Sequence, residues 1–113
     1  MKSVPINYIE FKAHNLARVK SFYSQAFGWT FTDYGKTYTA FAESGLEGGF
    51  EFTEDAITNG ALIVLFHDDL KAVQKQILDA GGEITLEIFD FPGGQRFHFK
   101  DTEGNELAVW RTT

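Results

Sequence analysis

Glu10 and His98 are the side chains of this 113-residue chain best placed for acid–base chemistry. Glu10 lies in an apolar, strand-like run, where a carboxylate can bind a cation or act as a general base. A structural ion pair with an arginine such as Arg96 is the alternative. His98 alternates with Arg96 and Lys100 along another strand-like run, so the three share one face. That face either lines a ligand pocket or meets solvent.

Aromatic side chains make up 16% of the chain and include twelve phenylalanines. In the last strand-like run, Glu106, Ala108 and Trp110 alternate on one face. Trp110 and Phe52 would offer flat apolar surfaces on which a planar ligand could stack. The alternative is that both rings only pack in the core.

The acidic balance of the chain limits its partners. The net charge is −6 at pH 7, from 10 basic and 16 acidic residues, and would repel a nucleic-acid backbone. Cationic or neutral small molecules are easier to accommodate. There are no cysteines, which excludes disulfides and thiolate metal sites and fits a reducing cytoplasm. No apolar run approaches a membrane span, so no membrane partner is expected.

The elements that position these residues come from an internal repeat at an offset of 54 residues. The segment NLARV from Asn15 corresponds to DLKAV from Asp69, and Gly28 corresponds to Gly82. Asn15 and Asp69 are both suited to cap a helix N-terminus, and the glycines lie where each helix should end. The repeat therefore predicts two amphipathic helices.

One strand-like run precedes each predicted helix and three follow it. The runs are 6–11, 29–33, 37–41 and 49–53 in the first half, and 61–66, 83–89, 95–100 and 106–111 in the second. The chain is thus a βαβββ unit used twice, at about 4–53 and 60–112. We predict one α+β domain spanning 1–113, with the two units forming one curved mixed sheet around a cleft and the helices on its outer face.

Three motifs, NLARVKSFYSQAFGW, DDLKAVQKQILDAGGEI and KDTEGNELAVW, carry a resemblance that covers nearly the whole chain. Together they resemble the vicinal oxygen chelate superfamily, also called the glyoxalase/bleomycin-resistance/dioxygenase superfamily. The last motif is similar to the Asp-Pro-x-Gly-Asn turn of that family, with Thr102 where proline is usual. The resemblance implies the paired βαβββ fold, and a homodimer as in small members.

Metal-dependent members of this family hold a divalent ion with four side chains, usually His, Gln or Glu, from the first and last strands of each unit. The corresponding positions of this chain are Tyr8, Leu62, Ala108 and Phe52, with Phe50 as the alternative register. A shift of one residue would turn Glu51 inward instead. None of the four is a usual metal ligand, so the resemblance implies a chain that uses no metal and no cofactor.

These observations predict a metal-free, cytoplasmic, homodimeric protein that binds a hydrophobic, aromatic or cationic small molecule in an acidic, aromatic-lined cup. One alternative is a glyoxalase-like lyase or isomerase with Glu10 or His98 as the acid or base. Another is a catalytically silent interaction domain. The predicted ligand-binding residues are Tyr8, Glu10, Phe50, Phe52, Leu62, Arg96, His98, Ala108 and Trp110.

Overall fold

A computed structural model describes residues 8–58 and 60–113. Within them the elements follow the predicted order, a βαβββ unit used twice. The first unit contains β1 (Ile9–Ala13), α1 (Leu16–Phe27), β2 (Thr30–Asp33), β3 (Tyr38–Ala42) and β4 (Gly48–Phe52). The second contains β5 (Ile63–Phe66), α2 (Leu70–Asp79), β6 (Glu83–Phe91), β7 (Gly94–Lys100) and β8 (Glu106–Thr112). The start expected for the first unit at residue 4, and for its first strand at residue 6, lies outside the described residues.

Hydrogen bonding divides the strands into two sheets of four. Their orders are β1-β4-β3-β2 and β5-β8-β7-β6, so each unit forms its own sheet. In both, the first pair is parallel and the other two are antiparallel. The predicted α+β class and the double βαβββ unit are confirmed. Within the described ranges, no strand ladder joins β1 to β5.

Both helices begin at the predicted caps. The Asn15 side chain accepts a hydrogen bond from Arg18 N at 2.9 Å, and the Asp69 side chain accepts one from Ala72 N at 3.1 Å. Helix α1 ends at Gly28, whose φ of 74° is the left-handed conformation that glycine adopts without steric cost. In the described chain, neither helix is long and apolar enough to cross a membrane.

One face of each sheet packs against the helices in a single shared core. Within the first half, the Tyr23 and Trp29 rings stack with their centroids 4.6 Å apart. Between the halves, Phe27 of α1 contacts Phe99 of β7 at a centroid distance of 5.7 Å. The apolar side of each helix is therefore buried in the core that both sheets share. Within the described residues, the opposite face of each sheet has no helix packed on it.

The turn between β7 and β8 ties the halves together through two buried carboxylates. Glu103 accepts hydrogen bonds from Asn15 N at 2.8 Å and from Arg18 Nε at 2.7 Å, at the start of α1. Asp101 accepts one from the Tyr23 hydroxyl at 2.9 Å, and burial raises the pKa of Asp101. The third sequence motif is thus a connection between the halves as well as a turn.

Candidate functional site

The faces without helices are the places where the predicted site residues can meet a ligand. We call the helix-free face of β1-β4-β3-β2 the first open face, and that of β5-β8-β7-β6 the second open face. Cross-strand neighbours share a face, so the register assigns each side chain. On the first open face lie Tyr8, Glu10, Lys12, Tyr38, Ala40, Gly49 and Glu51.

Side chains on the first open face bond mainly to one another. The Tyr8 and Tyr38 hydroxyls are 2.5 Å apart, and burial, followed by this hydrogen bond, raises the pKa of Tyr38. Lys12 Nζ lies 2.5 Å from Glu51 Oε1 and 3.3 Å from Glu10 Oε2. Glu10 therefore has a lysine partner from its own strand, and not the arginine that the sequence suggested as its structural alternative.

The register expected for β4 is wrong. Phe50 is fully buried in the core, 5.1 Å from the Tyr23 ring and 5.2 Å from the Phe11 ring. Phe52 lies on the same side of the sheet, paired with Ala13. Because side chains alternate along a strand, these positions leave Glu51 on the open face. The predicted placement of Phe52 beside Trp110 is wrong for the same reason.

The second open face holds most of the remaining predicted residues. Ala108 pairs with Val64 and with His98, while Trp110 pairs with Phe66 and Arg96. The side chains of this face are Leu62, Val64, Phe66, Glu83, Leu86, Phe89, Phe91, Arg96, His98, Lys100, Glu106, Ala108, Trp110 and Thr112. Ala108 is fully buried, with Val64 on one side and His98 on the other.

Three aromatic rings cluster on the second open face. The centroid of Trp110 is 5.2 Å from that of Phe66, at an interplanar angle of 73°, and 6.2 Å from that of Phe91. Gly94 lies beneath Phe91 and Trp110, and a Cβ there would come within 3.1 and 3.2 Å of their rings. Phe66 is 52% exposed and Val64 43% exposed, so apolar surface beside the cluster is open to a ligand.

Arg96 lies between two of these aromatic side chains. Its Cζ atom is 5.2 Å from the centroid of Phe89 and 5.6 Å from that of Phe91. Its Nε atom is buried and makes no hydrogen bond within the described chain. No carboxylate of the described residues lies within ion-pair distance of its guanidinium. The guanidinium is therefore held by rings and not by an acid.

His98 lies two residues along the same strand and is 9% exposed. Its Nδ1 atom is 3.1 Å from Glu106 Oε2, an arrangement in which a carboxylate orients an imidazole. Its Nε2 atom is buried and lacks a partner among the residues described. His98 and Arg96 thus share the face predicted for them, with Phe89 6.1 Å from the imidazole.

Two cavities accompany these faces. The larger, about 820 Å³, lies between the halves and is lined by residues of both, among them Phe11, Trp29 and Phe66. The smaller, about 510 Å³, includes Tyr8 and Tyr38. Neither has Tyr8 in its lining together with Leu62 or Ala108. Tyr8 lies on the first open face, whereas Leu62 and Ala108 lie on the second.

The residues at the metal-ligand positions do not fit a divalent ion. Leu62 and Ala108 have no donor atom, the Tyr8 hydroxyl is bonded to Tyr38, and Glu51 is paired with Lys12. Over the part of the chain that the structure describes, no three His, Cys, Asp or Glu side chains are grouped so as to hold a metal. Metal sites of this fold need carboxylate or imidazole donors converging on one point, which these positions lack.

Phe66, Phe89 and Phe91 were not among the predicted site residues. Alternation from Leu62 along β5 leads to Phe66 and is a signal that the sequence offers. Phe89 carries a weaker signal, because the register of β6 shifts between Ile84 and Leu86 and again between Leu86 and Phe89. Such irregularities break the alternation on which a face is assigned.

Comparisons with known proteins agree with this architecture. The profile of the Glyoxalase/Bleomycin resistance protein/Dioxygenase superfamily matches residues 6–109. A glyoxylase-like domain-containing protein from Didymella fabae is 31% identical over 118 residues, covering 92% of this chain and 91% of that protein.

Solved structures share the fold at low sequence identity. A glyoxalase/bleomycin resistance protein/dioxygenase family enzyme from Burkholderia phytofirmans PsJN superposes with a TM-score of 0.83 at 12% identity, covering 95% of this chain and 98% of its own. TnmS3, an antibiotic-binding protein from Streptomyces sp. CB03234, gives 0.73 at 16% identity, covering 100% and 99%. Since the superfamily profile spans nearly all of the two βαβββ units, this chain belongs to the Glyoxalase/Bleomycin resistance protein/Dioxygenase superfamily.

Proposed function

We propose that this chain is a small-molecule-binding protein that holds a hydrophobic, aromatic compound on its second open face without the help of a metal. The observation that carries the proposal is the ring cluster of Phe66, Phe91 and Trp110, which lies beside exposed apolar side chains. The polar groups of the first open face are engaged with each other. A planar ligand gains more by covering rings than by breaking those contacts.

The second open face offers exposed apolar area that a ligand can cover. Leu62, Val64, Phe66 and Leu86 on the second open face are 40–52% exposed. Covering apolar surface contributes roughly 25 cal/mol per Å², and offset or edge-to-face ring contacts add about 0.5–1.5 kcal/mol each. A compound the size of naphthalene therefore gains on the order of 7–8 kcal/mol of gross interaction energy from this face, and its net affinity is lower because about 4 kcal/mol or more is lost with its freedom of motion.

The family supports a binding role without fixing the ligand. TnmS3 shares the fold and is described as an antibiotic-binding protein, so this architecture can serve binding in at least one relative. At 16% identity the likeness extends to the fold alone, and the ligand of this chain follows from its own side chains.

The homodimer expected from the sequence is part of the proposal. The second open face is wide and exposed, and β5 and β1 are edge strands of their sheets. A second copy that covered these edges would bury apolar surface and enclose a bound ligand. Sedimentation equilibrium should give twice the chain mass, and a monomer at all concentrations would contradict this part of the proposal.

Thermal unfolding with and without ligands tests the binding role. A ligand that binds only the folded state increases the free energy of unfolding, by about 2.7 kcal/mol at a ligand concentration one hundred times Kd. The unfolding temperature rises as a result. We expect a rise with naphthalene derivatives in the presence of EDTA, and no rise with nickel or zinc. A Glu51→Gln variant, altered on the first open face, should show the same rise. A rise with metal alone, or none with any aromatic compound, would contradict the proposal.

A second candidate function, acid–base catalysis, is favoured by the His98–Glu106 pair. A carboxylate that fixes one imidazole nitrogen leaves the other to exchange a proton, and here the buried Nε2 would have to become accessible to a substrate. The test is turnover of hemithioacetal adducts by the wild type and by His98→Gln. Turnover lost in the variant, with the fold intact by circular dichroism, would support catalysis, and no turnover by the wild type would remove this candidate for that substrate.

A further inference from the structure

We infer that the compound bound on the second open face carries an anionic group, such as a carboxylate or phenolate, and that Arg96 binds it. This inference rests on the proposed function and adds the charge of the ligand. It also reverses the expectation of a cationic ligand, which came from the net charge of the whole chain.

Arg96 has no acidic partner among the described residues. The chain has more acids than bases, yet no carboxylate of the described residues lies within 4.0 Å of this guanidinium. Four other basic residues do have acidic partners, namely Lys12, Arg18, Lys20 and Lys75. Arg96 differs from the unpaired basic residues of the described chain in that its Nε is buried without a hydrogen bond. A half-buried guanidinium without an acid is costly unless something else satisfies it. A ligand anion would supply the missing partner.

Two rings lie beside Arg96. Phe89 and Phe91 lie 5.2 and 5.6 Å from its Cζ atom, so they restrain the guanidinium. A restrained, planar fork loses little freedom on binding and matches the two oxygens of a carboxylate. Trp110 pairs directly with Arg96 across the sheet, so the aromatic body and the anionic group of one small molecule can be held side by side.

The neighbouring polar groups are consistent with an anion. His98, nine-tenths buried on the same face, has an Nε2 atom without a partner in the described chain. Its other nitrogen faces Glu106, a carboxylate of the same face, and Lys100 lies across the sheet from Glu106 on that face. The remaining acids act across solvent, where salt screens charges beyond about 8 Å. At the site itself, the contact with Arg96 outweighs the net negative charge.

Three probes that share a naphthalene ring and carry one anionic, neutral or cationic substituent of similar size test the inference. The affinities of β-naphthoate, β-naphthalenemethanol and β-naphthylmethylammonium are measured by calorimetry with the full chain in EDTA. We expect the anion to bind about tenfold more tightly than the neutral alcohol, because a hydrogen bond to a charged group is worth more than a neutral one. The ammonium compound should bind more weakly than the alcohol.

Variants assign the preference to its residue. Arg96→Gln should remove the advantage of the anion while leaving the affinity for the alcohol within about threefold. Lys12→Gln, which removes a cation from the first open face, should leave the advantage unchanged. Circular dichroism and retained alcohol binding show that the Arg96 variant is folded.

The outcomes separate this inference from the proposed function. Equal affinity for the three probes, or tighter binding of the ammonium compound, would overturn the anion preference while leaving aromatic binding in place. An anion advantage that survives in Arg96→Gln would overturn the role of Arg96. Failure of every probe to bind would overturn both the inference and the proposed function.

Discussion

The two open faces occupy equivalent positions in the two halves but carry different chemistry. The fourth pair of the β1–β4 ladder is Lys12 with Glu51, an exposed ion pair. The fourth pair of the β5–β8 ladder is Phe66 with Trp110, two rings in contact. The same backbone position therefore holds a solvated ion pair in one half and an aromatic platform in the other.

The neighbouring strand extends the contrast. Tyr38 pairs with Glu51 in the first half, and Arg96 pairs with Trp110 in the second. The Tyr38 hydroxyl bonds to Tyr8, whereas Arg96 is bracketed by rings and meets no acid of the described chain. The first face completes its own polar contacts, and the second leaves a cation and apolar surface for another molecule. A repeated unit can thus keep its fold in both copies and its binding chemistry in one.

The turns before the last strands differ in a similar way. In the second half, Glu103 is buried and accepts hydrogen bonds from the start of α1. In the first half, the turn between β3 and β4 has Ser44, whose hydroxyl bonds within its own turn, to the O and N atoms of Leu46. The β7–β8 turn therefore bonds to the other half of the chain, whereas the bonds of Ser44 stay within the β3–β4 turn.

Glu103→Ala should give the largest effect on stability. It leaves Arg18 and two amides at the start of α1 without their acceptor, and we expect a loss of about 2–3 kcal/mol, less than for a fully buried pair because Arg18 is half exposed. Ser44→Ala should cost less than about 1 kcal/mol. Urea unfolding measures both, and equal costs would remove the contrast between the two turns.

Trp110→Ala should have the next largest effect, on binding. Loss of the central ring of the second open face should weaken β-naphthoate about tenfold, since ring contacts and apolar area disappear together. Glu51→Ala, at the corresponding place on the first open face, should leave the affinity unchanged. If the Glu51 variant lost more affinity than the Trp110 variant, the assignment of the two faces would be reversed.

Tyr8→Phe should give the smallest effect, visible only in alkali. The pKa of Tyr38 is raised mainly by burial and then by its bond to Tyr8, so its contribution to stability is present below the ordinary value of about 10 and is lost as the pH rises beyond it. The variant keeps the burial and loses the bond. The pKa of Tyr38 in the folded variant should therefore be lower than in the wild type, though still above its ordinary value, and absorbance titration of the tyrosines measures it. An unchanged pKa of Tyr38 would show that the bond does not affect Tyr38.

The sequence predicted the fold well because the signals were local. Asn15 and Asp69 cap the helices as expected, and each strand-like run gives a strand. The face shared by Arg96 and His98 also follows from simple alternation, since β7 pairs regularly with β8. In these segments the spacing of apolar residues and the positions of turn-forming residues predict the same elements.

The register of β4 could not be predicted in the same way. β6 has nine residues where β2 has four, so the offset of 54 that aligns the helices no longer aligns the strands that follow. In addition, Phe50 and Phe52 alternate with Gly49 and Glu51, and either set could face the core. Phe50 faces the core because its ring packs against Tyr23, a contact that forms only when α1 packs on the sheet.

Nuclear magnetic resonance of the labelled chain titrated with β-naphthoate in EDTA tests most directly whether the second open face is the binding surface. We predict that the amide and aromatic resonances that shift lie in β5, β6, β7 and β8, centred on Trp110 and Arg96, while those of β1 and β4 stay in place. Shifts centred on Tyr8 and Glu10, or shifts that need an added divalent ion, would contradict the account.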